Sequence, residues 1–300
     1  MTQKGGYRVL LYYKFVPIPD AASFTAEHLT YCKELGVKGR ILIADEGING
    51  TLSGTYEQTE QYMQHMHANP LFADMVFKID EADKHAFRKI FVRHKKELVT
   101  LRYEKPLDPN SLSGKRLSPK EFHDYLQRED VIVLDGRSDY EYDLGHFRNA
   151  IKPTLETFKE FPKWLRENMQ DYKDKPILTY CTGGIRCEKL TGVMLSEGFT
   201  DVYQLEGGIV TYGKDDEVKG RLWDGKCYVF DERISVDINH TDEAVVVGKC
   251  YHCGTPAETY INCADDTCHR QHIVCDNCEQ QYNHYCSPEC EEHVHNLAQG

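Results

Sequence analysis

Residues 180–190 read YCTGGIRCEKL. The run before them, KPILTY (175–180), is apolar enough for a buried strand. The run after, EKLTGVMLSEGF (188–199), has helical spacing and stops at Gly198. A cysteine that closes a strand and is followed by Thr182, Gly183, Gly184 and a helix start sits in a turn whose backbone N–H groups point inward. Such a nest, at the positive end of a helix, binds anions and lowers a thiol pKa. Arg186 adds a fixed positive charge. The pattern marks Cys181 as a nucleophile and Arg186 as the group that stabilises its charge, against the plainer reading of one more buried thiol.

Working outward, Ser118, Pro119 and Glu121 make a capping box with proline at the first helical position, so EFHDYLQR is expected as a helix. VIVLDGR (131–137) reads as a strand ending in Asp135 and Arg137, SDYEYDLGHFRNAI (138–151) as a loop, and VYQLEGGI (202–209) as a further strand. Strands alternating with helices predict a parallel sheet, whose ligands bind at the carboxyl ends of the strands. Cys181 and Asp135 both fall there, with Asp135 and Arg137 expected to brace the loop. Nearer the N-terminus the order is βαββαβ, which predicts a small α+β domain with an antiparallel, ferredoxin-like sheet. Within it IADEGINGTLSG (43–54) concentrates Gly47, Gly50 and Gly54 around Asp45, Glu46 and Asn49. The same letters suit the close approach of a ligand or a hairpin with an Asn-Gly turn.

Three hundred residues imply two or three domains. No apolar run approaches the roughly 20 residues that span a bilayer, so no membrane association is expected. The N-terminal segment is too polar for a signal peptide, and the expected compartment is the cytoplasm. The net charge of −12 is unevenly spread: residues 84–120 hold eleven Lys or Arg against three acids, and residues 240–300 hold two against ten. Arg88, Lys89, Arg93, Lys95 and Lys96 are the candidate contacts to RNA phosphates, the alternative being a solvated linker.

Twelve cysteines in a chain of this kind point to metal or catalysis rather than disulfides. Eight form close pairs: Cys250 and Cys253, Cys263 and Cys268, Cys275 and Cys278, Cys286 and Cys290. They match two structural four-thiolate zinc sites with sequential or crossed pairing, and His252, His269, His272 or His284 could replace a thiolate. Four thiolates leave a zinc no open position for water. Cys32 and Cys227 read as core. His240-Thr241-Asp242 carries part of an iron-ligand pattern but reads better as a turn before a strand EAVVVG. No flavin or nicotinamide site is evident, since no G-x-G-x-x-G follows a strand.

LDGRSDYEYDLGHFRNA, YCTGGIRCEK and VYQLEGGI in series resemble a rhodanese domain, with Glu141 and His146 in the same signature in packing and hydrogen-bonding roles. The loop 181–186 is one residue shorter than that of related arsenate reductases and phosphatases, which argues against phosphatase chemistry. IADEGINGTLSG, the rhodanese series and LWDGKCYVFDERISV (222–236) together resemble the tRNA uridine(34) hydroxylase family. The expected organisation is a ferredoxin-like domain (1–101), a basic linker (102–116), a rhodanese domain (117–219), an extension (220–249) and a Cys-rich zinc module (250–300). The resemblance implies oxygen-dependent conversion of the wobble uridine in a tRNA anticodon loop to 5-hydroxyuridine, a monooxygenase-type oxidation with molecular oxygen as co-substrate. Cys181 would act as a thiolate adding to the base or as a persulfide carrier. Cys187 would resolve an oxidised Cys181 or point away from it. The competing readings are a sulfurtransferase working through a Cys181 persulfide and a non-catalytic RNA-binding adaptor.

Overall fold

A computed structural model describes residues 6–268 and 270–297. The first part of the chain runs β1 (Tyr7–Phe15), α1 (Ala21–Leu35), β2 (Lys38–Ala44), β3 (Gly47–Thr55), α2 (Tyr56–Ala68), β4 (Lys78–Ala82) and β5 (Ile90–His94). The strand order is β4-β1-β3-β2-β5, antiparallel except for β5, which lies parallel to β2. The first four strands and two helices are the expected ferredoxin-like arrangement. The fifth strand comes from the basic run and has no sequence signature, because its few apolar residues sit among charges. Leu10, Tyr12, Ile41, Ile43, Ile48 and Leu52 point to one face and pack on Cys32, Tyr62 and Met66 of the two helices. Alternation sends Leu11, Tyr13, Arg40, Leu42, Asn49 and Thr51 to the other face.

The turn between β2 and β3 is Asp45-Glu46, and Ala44 pairs with Gly47. Asn49-Gly50 is therefore inside β3 and not a hairpin turn. Gly47 takes the positive φ of 143° that ends the turn, and a Cβ there would meet the Lys14 carbonyl oxygen at 2.1 Å.

The second part comprises β6 (Lys115–Leu117), α3 (Pro119–Leu126), β7 (Ile132–Asp135), α4 (Asp139–Leu144), β8 (Gly145–Phe147), α5 (Phe161–Asn168), β9 (Ile177–Tyr180), α6 (Ile185–Ser196), β10 (Val202–Leu205) and α7 (Gly208–Lys214). Strands β6-β10-β9-β7 make a parallel sheet. Lys115 and Arg116, placed by sequence in a linker, belong to its edge strand. Residues 138–151, read as a loop, contain α4 and β8. The helix forms because Glu141 accepts a hydrogen bond from the Ser138 N–H at 3.2 Å, a start signal hidden among tyrosines and acids.

The remainder holds β11 (Trp223–Gly225), β12 (Cys227–Tyr228), β13 (Ser235–Val236), β14 (Thr259–Asn262), β15 (Gln271–Val274), α8 (Asp276–Tyr282) and α9 (Pro288–Leu297). β11 pairs with β8, which ties this part to the parallel-sheet part. The expected strand EAVVVG is absent: the segment makes only single contacts, such as the Gly225 N–H donating to the Val245 carbonyl at 2.7 Å. Ahead of it, Asn239 Oδ1 accepts from the Thr241 N–H and hydroxyl, so His240 and Asp242 lie in a turn, as expected.

Two charged residues of α6 pin the first part to the second. Lys189, 4% exposed at its side chain, donates to Glu46 at 2.8 Å, to Glu97 at 3.4 Å and to the Val99 carbonyl at 3.3 Å. Its neighbour Glu188 accepts from the Tyr13 hydroxyl at 2.9 Å, from Arg116 at 2.8 Å and from Gln204 at 3.1 Å. Among the described residues no helix is long and apolar enough to cross a membrane.

Candidate active site

Cys181 follows the last residue of β9 and is 1% exposed. The turn after it is fixed from below by the first turn of α7: the Ile209 N–H donates to the Cys181 carbonyl at 3.0 Å and the Val210 N–H to the Thr182 carbonyl at 3.2 Å. Gly184, at φ 104°, turns its N–H onto Cys181 Sγ at 3.2 Å. The Cys187 thiol is near enough to Cys181 for the two sulfurs to influence each other's charge. Burial raises the Cys181 pKa, but the Cys187 thiol, the Arg186 charge and the N–H groups of Cys187 and Gly184 outweigh it and bring the thiol down to about 6. Burial pushes Cys187 up, as does the neighbouring sulfur, so a proton between the two stays on Cys187.

Arg186 does not aim its charge into open space. It makes a two-pronged pair with Glu141, Nη1 to Oε2 at 2.7 Å and Nη2 to Oε1 at 2.8 Å, and Nη2 also reaches the Thr182 hydroxyl at 3.2 Å. Burial opposes ionisation of Glu141, yet Arg186, and Arg137 further off, hold its carboxyl below the usual range. Sequence reasoning cast Arg186 as a charge stabiliser and Glu141 in packing and hydrogen bonding; the two pair and lock the loop. Asp135 and Arg137, both fully buried, pair at 2.9 and 2.6 Å, and Arg137 also donates to the Gly145 carbonyl at 2.6 Å. This pair joins β7 to β8. His146 stacks on Tyr142 and turns Nδ1 to that residue's carbonyl, 2.8 Å away.

The open face of the first sheet forms the roof. A Cβ on Gly183 would meet Leu11 Cδ2 at 2.9 Å, and one on Gly184 would meet the Tyr13 hydroxyl at the same distance. A side chain at Gly183 would press on Leu11, and at Gly184 the positive φ adds a backbone reason for glycine. Beside this contact a cavity of about 280 Å³ remains, lined by Cys181, Thr182, Gly183 and Arg186 below, by Arg40, Asn49 and Thr51 above, and by Phe87 and Phe230 at the side. Arg40, Phe87 and Phe230 also line a wider groove of about 930 Å³ with Lys84, Arg88, Lys89 and Phe91 on one wall and Asp231, Glu232, Asp265 and Asp266 on the other. Of the basic residues singled out in the sequence, Arg88 and Lys89 lie in this groove, Arg88 paired with Glu232 at 2.8 Å. Arg93, Lys95 and Lys96 are exposed on and just beyond β5. Arg40, Thr51, Phe87 and Phe230 carry no signal in the sequence, because nothing in a single strand pattern says which face will meet another domain.

The eight paired cysteines gather into two groups of four, Cys250, Cys253, Cys275 and Cys278, and Cys263, Cys268, Cys286 and Cys290, with all sulfurs of a group within 4.8 Å of one another. The pairing is crossed. Sulfur separations of 3.6 to 3.7 Å occur in each, close to the roughly 3.8 Å edge of a tetrahedron with 2.3 Å zinc–sulfur bonds. Each group can hold a metal ion without help from a histidine. His269 lies outside the described residues.

A four-stranded parallel sheet with a cysteine at the end of a central strand, a six-residue loop and a helix N-terminus defines a rhodanese domain, roofed in this chain by a ferredoxin-like one. The sequence matches the UPF0176 acylphosphatase like domain over residues 7–98, the rhodanese-like domain over 118–215 and the rhodanase C-terminal family over 224–291. It is 59% identical to the tRNA uridine(34) hydroxylase of Bacillus licheniformis, over 98% of this chain and 91% of the relative. To that of Bacillus velezensis it is 60% identical, over 97% and 90%, and to that of Streptococcus suis 56%, over 96% and 90%. The chain belongs to the tRNA uridine(34) hydroxylase family.

The loop's electrostatics have a direct readout. Alkylation of Cys181 by iodoacetamide, followed on its own peptide by mass spectrometry, should rise with pH to half its plateau near pH 6, against about 8.5 for a free thiol. Below that midpoint the sulfur is protonated and the rate falls. Exchanging Arg186→Gln together with Glu141→Gln, which removes both charges and strands neither, should move the midpoint up by about one unit. An unmoved midpoint would show that the Cys187 thiol and the N–H groups set it without Arg186.

Proposed function

We propose that this chain hydroxylates C5 of the wobble uridine of tRNA, with Cys181 as nucleophile and the cavity between loop and sheet as the base-binding site. The observation that carries the reading is that the 280 Å³ cavity shares Arg40, Phe87 and Phe230 with the neighbouring groove, whose near wall is basic and aromatic. Such a wall suits phosphates and unstacked bases, and an anticodon-loop base must be splayed out to reach a buried sulfur. Membership of the family, whose relatives bear the name of this activity, points the same way. A sulfurtransferase needs the rhodanese domain alone, and would leave the first sheet over the loop and the basic wall of the groove without a role. An adaptor has no use for a thiol whose pKa is held near 6.

Uracil C5 is poorly reactive until a nucleophile adds at C6. The Cys181 thiolate forms the Sγ–C6 bond, the C5=C6 electron pair moves toward C5 and O4, and C5 becomes able to take up oxygen. Loss of the C5 proton and of the thiolate then restores the ring. The net reaction converts C5–H, molecular oxygen, two electrons and two protons into C5–OH and water, the electrons coming from a thiol-class reductant. The protein's part is to hold the sulfur ionised through Gly184, Cys187 and Arg186, to keep water from it, and to place the base. Thr182 and Gly183 shape the floor. Arg88 and Lys89, with Arg93, Lys95 and Lys96 beyond, hold flanking phosphates. Zinc in the two cysteine groups keeps the acidic far wall folded and takes no part in the reaction. The reading places the protein in the cytoplasm with its tRNA.

Cys181→Ser should remove 5-hydroxyuridine from tRNA when it replaces the wild-type chain in cells, measured by mass spectrometry of tRNA hydrolysates, with thermal stability and RNA binding kept. Wild-type levels in that variant would take Cys181 out of the mechanism. Reversing Arg88, Lys89, Arg93 and Lys95 to glutamate should weaken tRNA binding and flatten its dependence on salt by up to about one slope unit per lost phosphate contact; an unchanged slope would place the RNA elsewhere. Elemental analysis of purified protein should find about two zinc ions per chain, and chelation should expose residues 248–297 to protease before it affects the Cys181 domain.

A further inference from the structure

The reaction puts negative charge on O4 of the base as the sulfur adds at C6, and a group must meet it. Arg186 is already committed, both of its prongs being on Glu141. The roof offers another cation. Arg40 stands on β2 opposite Thr51 of β3, one pleat from the Leu42–Asn49 pair, so Arg40, Thr51 and Asn49 share the face that looks down on Cys181. Among the described residues Arg40 has no carboxylate within ion-pair distance, and the side chains of Asn49 and Thr51 make no hydrogen bond. Three polar groups are thus arrayed over a nucleophile with nothing to bind. Arg40 is solvent-exposed and lines both the cavity and the groove, so its guanidinium is available to a ligand entering from the groove.

Resting on the proposed hydroxylation, we infer that Arg40 is a catalytic residue that donates to O4 of the uracil and stabilises the charge that forms there, while the Asn49 carboxamide accepts from N3–H and donates to O2. Uracil presents acceptor, donor, acceptor along O4, N3–H and O2. Arg40 and Asn49 present the complementary donor, acceptor, donor. Turned to give its NH2 to cytosine N3, the Asn49 carboxamide keeps only one of its two bonds, and a guanidinium, which has only donors, keeps none at N4. It would face the N4 amino group of cytosine with no acceptor between them. Arg40 therefore fixes the orientation of the edge and selects uracil over cytosine, and Phe87 and Phe230 at the cavity mouth hold the plane of the ring. One side chain serves specificity and rate, because the oxygen that identifies uracil is the oxygen on which charge accumulates.

The test uses two anticodon stem-loop RNAs, identical but for uridine or cytidine at the wobble position, and measures the concentration of each that protects Cys181 from iodoacetamide. The wild-type chain should be protected by the uridine RNA at roughly tenfold lower concentration or less. Arg40→Gln should bring the two RNAs within about twofold of each other, and in cells it should cut 5-hydroxyuridine in tRNA at least about tenfold, loss of one donor to a developing oxyanion costing about 100- to 1000-fold in rate. Arg40→Lys, which keeps a donor-only cation, should restore part of both. If Arg40→Gln weakens the two RNAs equally, Arg40 is one more phosphate contact and the inference fails. It fails too if the wild-type chain shows no preference, or if Arg40→Gln keeps the full preference. If neither RNA protects Cys181 in the wild-type chain, the tRNA reading itself falls, and the inference with it.

Discussion

The first sheet lies so close on the Cys181 turn that a methyl group on Gly183 or Gly184 would press against the side chains of Leu11 and Tyr13. Most of the architecture serves this contact. Glu188 and Lys189, consecutive on α6, are drawn in opposite directions, one to Tyr13 and the other to Glu46, so the helix that starts at the loop also carries the clamp on the sheet. Such buried charges add little net stability, but removing one partner strands the other at a cost of about 3–5 kcal/mol. They fix the position of the roof rather than strengthen it. A rhodanese loop alone would be an open cup; under this roof it becomes a chamber with a side door.

The interior uses its charges in closed pairs. Asp135 with Arg137 and Glu141 with Arg186 are all buried or nearly so, each acid held by two guanidinium nitrogens. They set geometry and raise the potential at the sulfur without leaving a cation free. The surface repeats the theme on a larger scale: a basic wall and an acidic wall face each other across the groove. The mean charge of the chain says nothing about either.

The Cys181 loop, the parallel sheet around it and the crossed or sequential alternatives for the cysteine pairs were legible because each depends on local letters: a strand, a Gly-Gly turn, a helix start, a spacing. The ferredoxin-like order was legible for the same reason. What sequence could not give was tertiary. β5 is a strand because β2 offers it an edge, in spite of its charges. Asn49-Gly50 has the letters of a turn, but Asp45-Glu46 with Gly47 completes one a few residues earlier, and the register then draws Asn49 into the strand. Arg40 and Phe230 are ordinary surface residues until two domains are stacked. Arg186 was read for its charge beside Cys181, but its ion pair with Glu141 was not, since Glu141 is forty-five positions away.

The crossed cysteine groups interlock two stretches of chain. The first group spans residues 250–278 and the second 263–290, so each loop contains half of the other's ligands. An ion caught by one group shortens the search the other must make, because closing the first loop already brings two of the second group's sulfurs near their place. An ion at either group would therefore favour an ion at the other, and the fold of the groove's acidic wall would depend on both together. Crossing the pairs ties two small anchors into one.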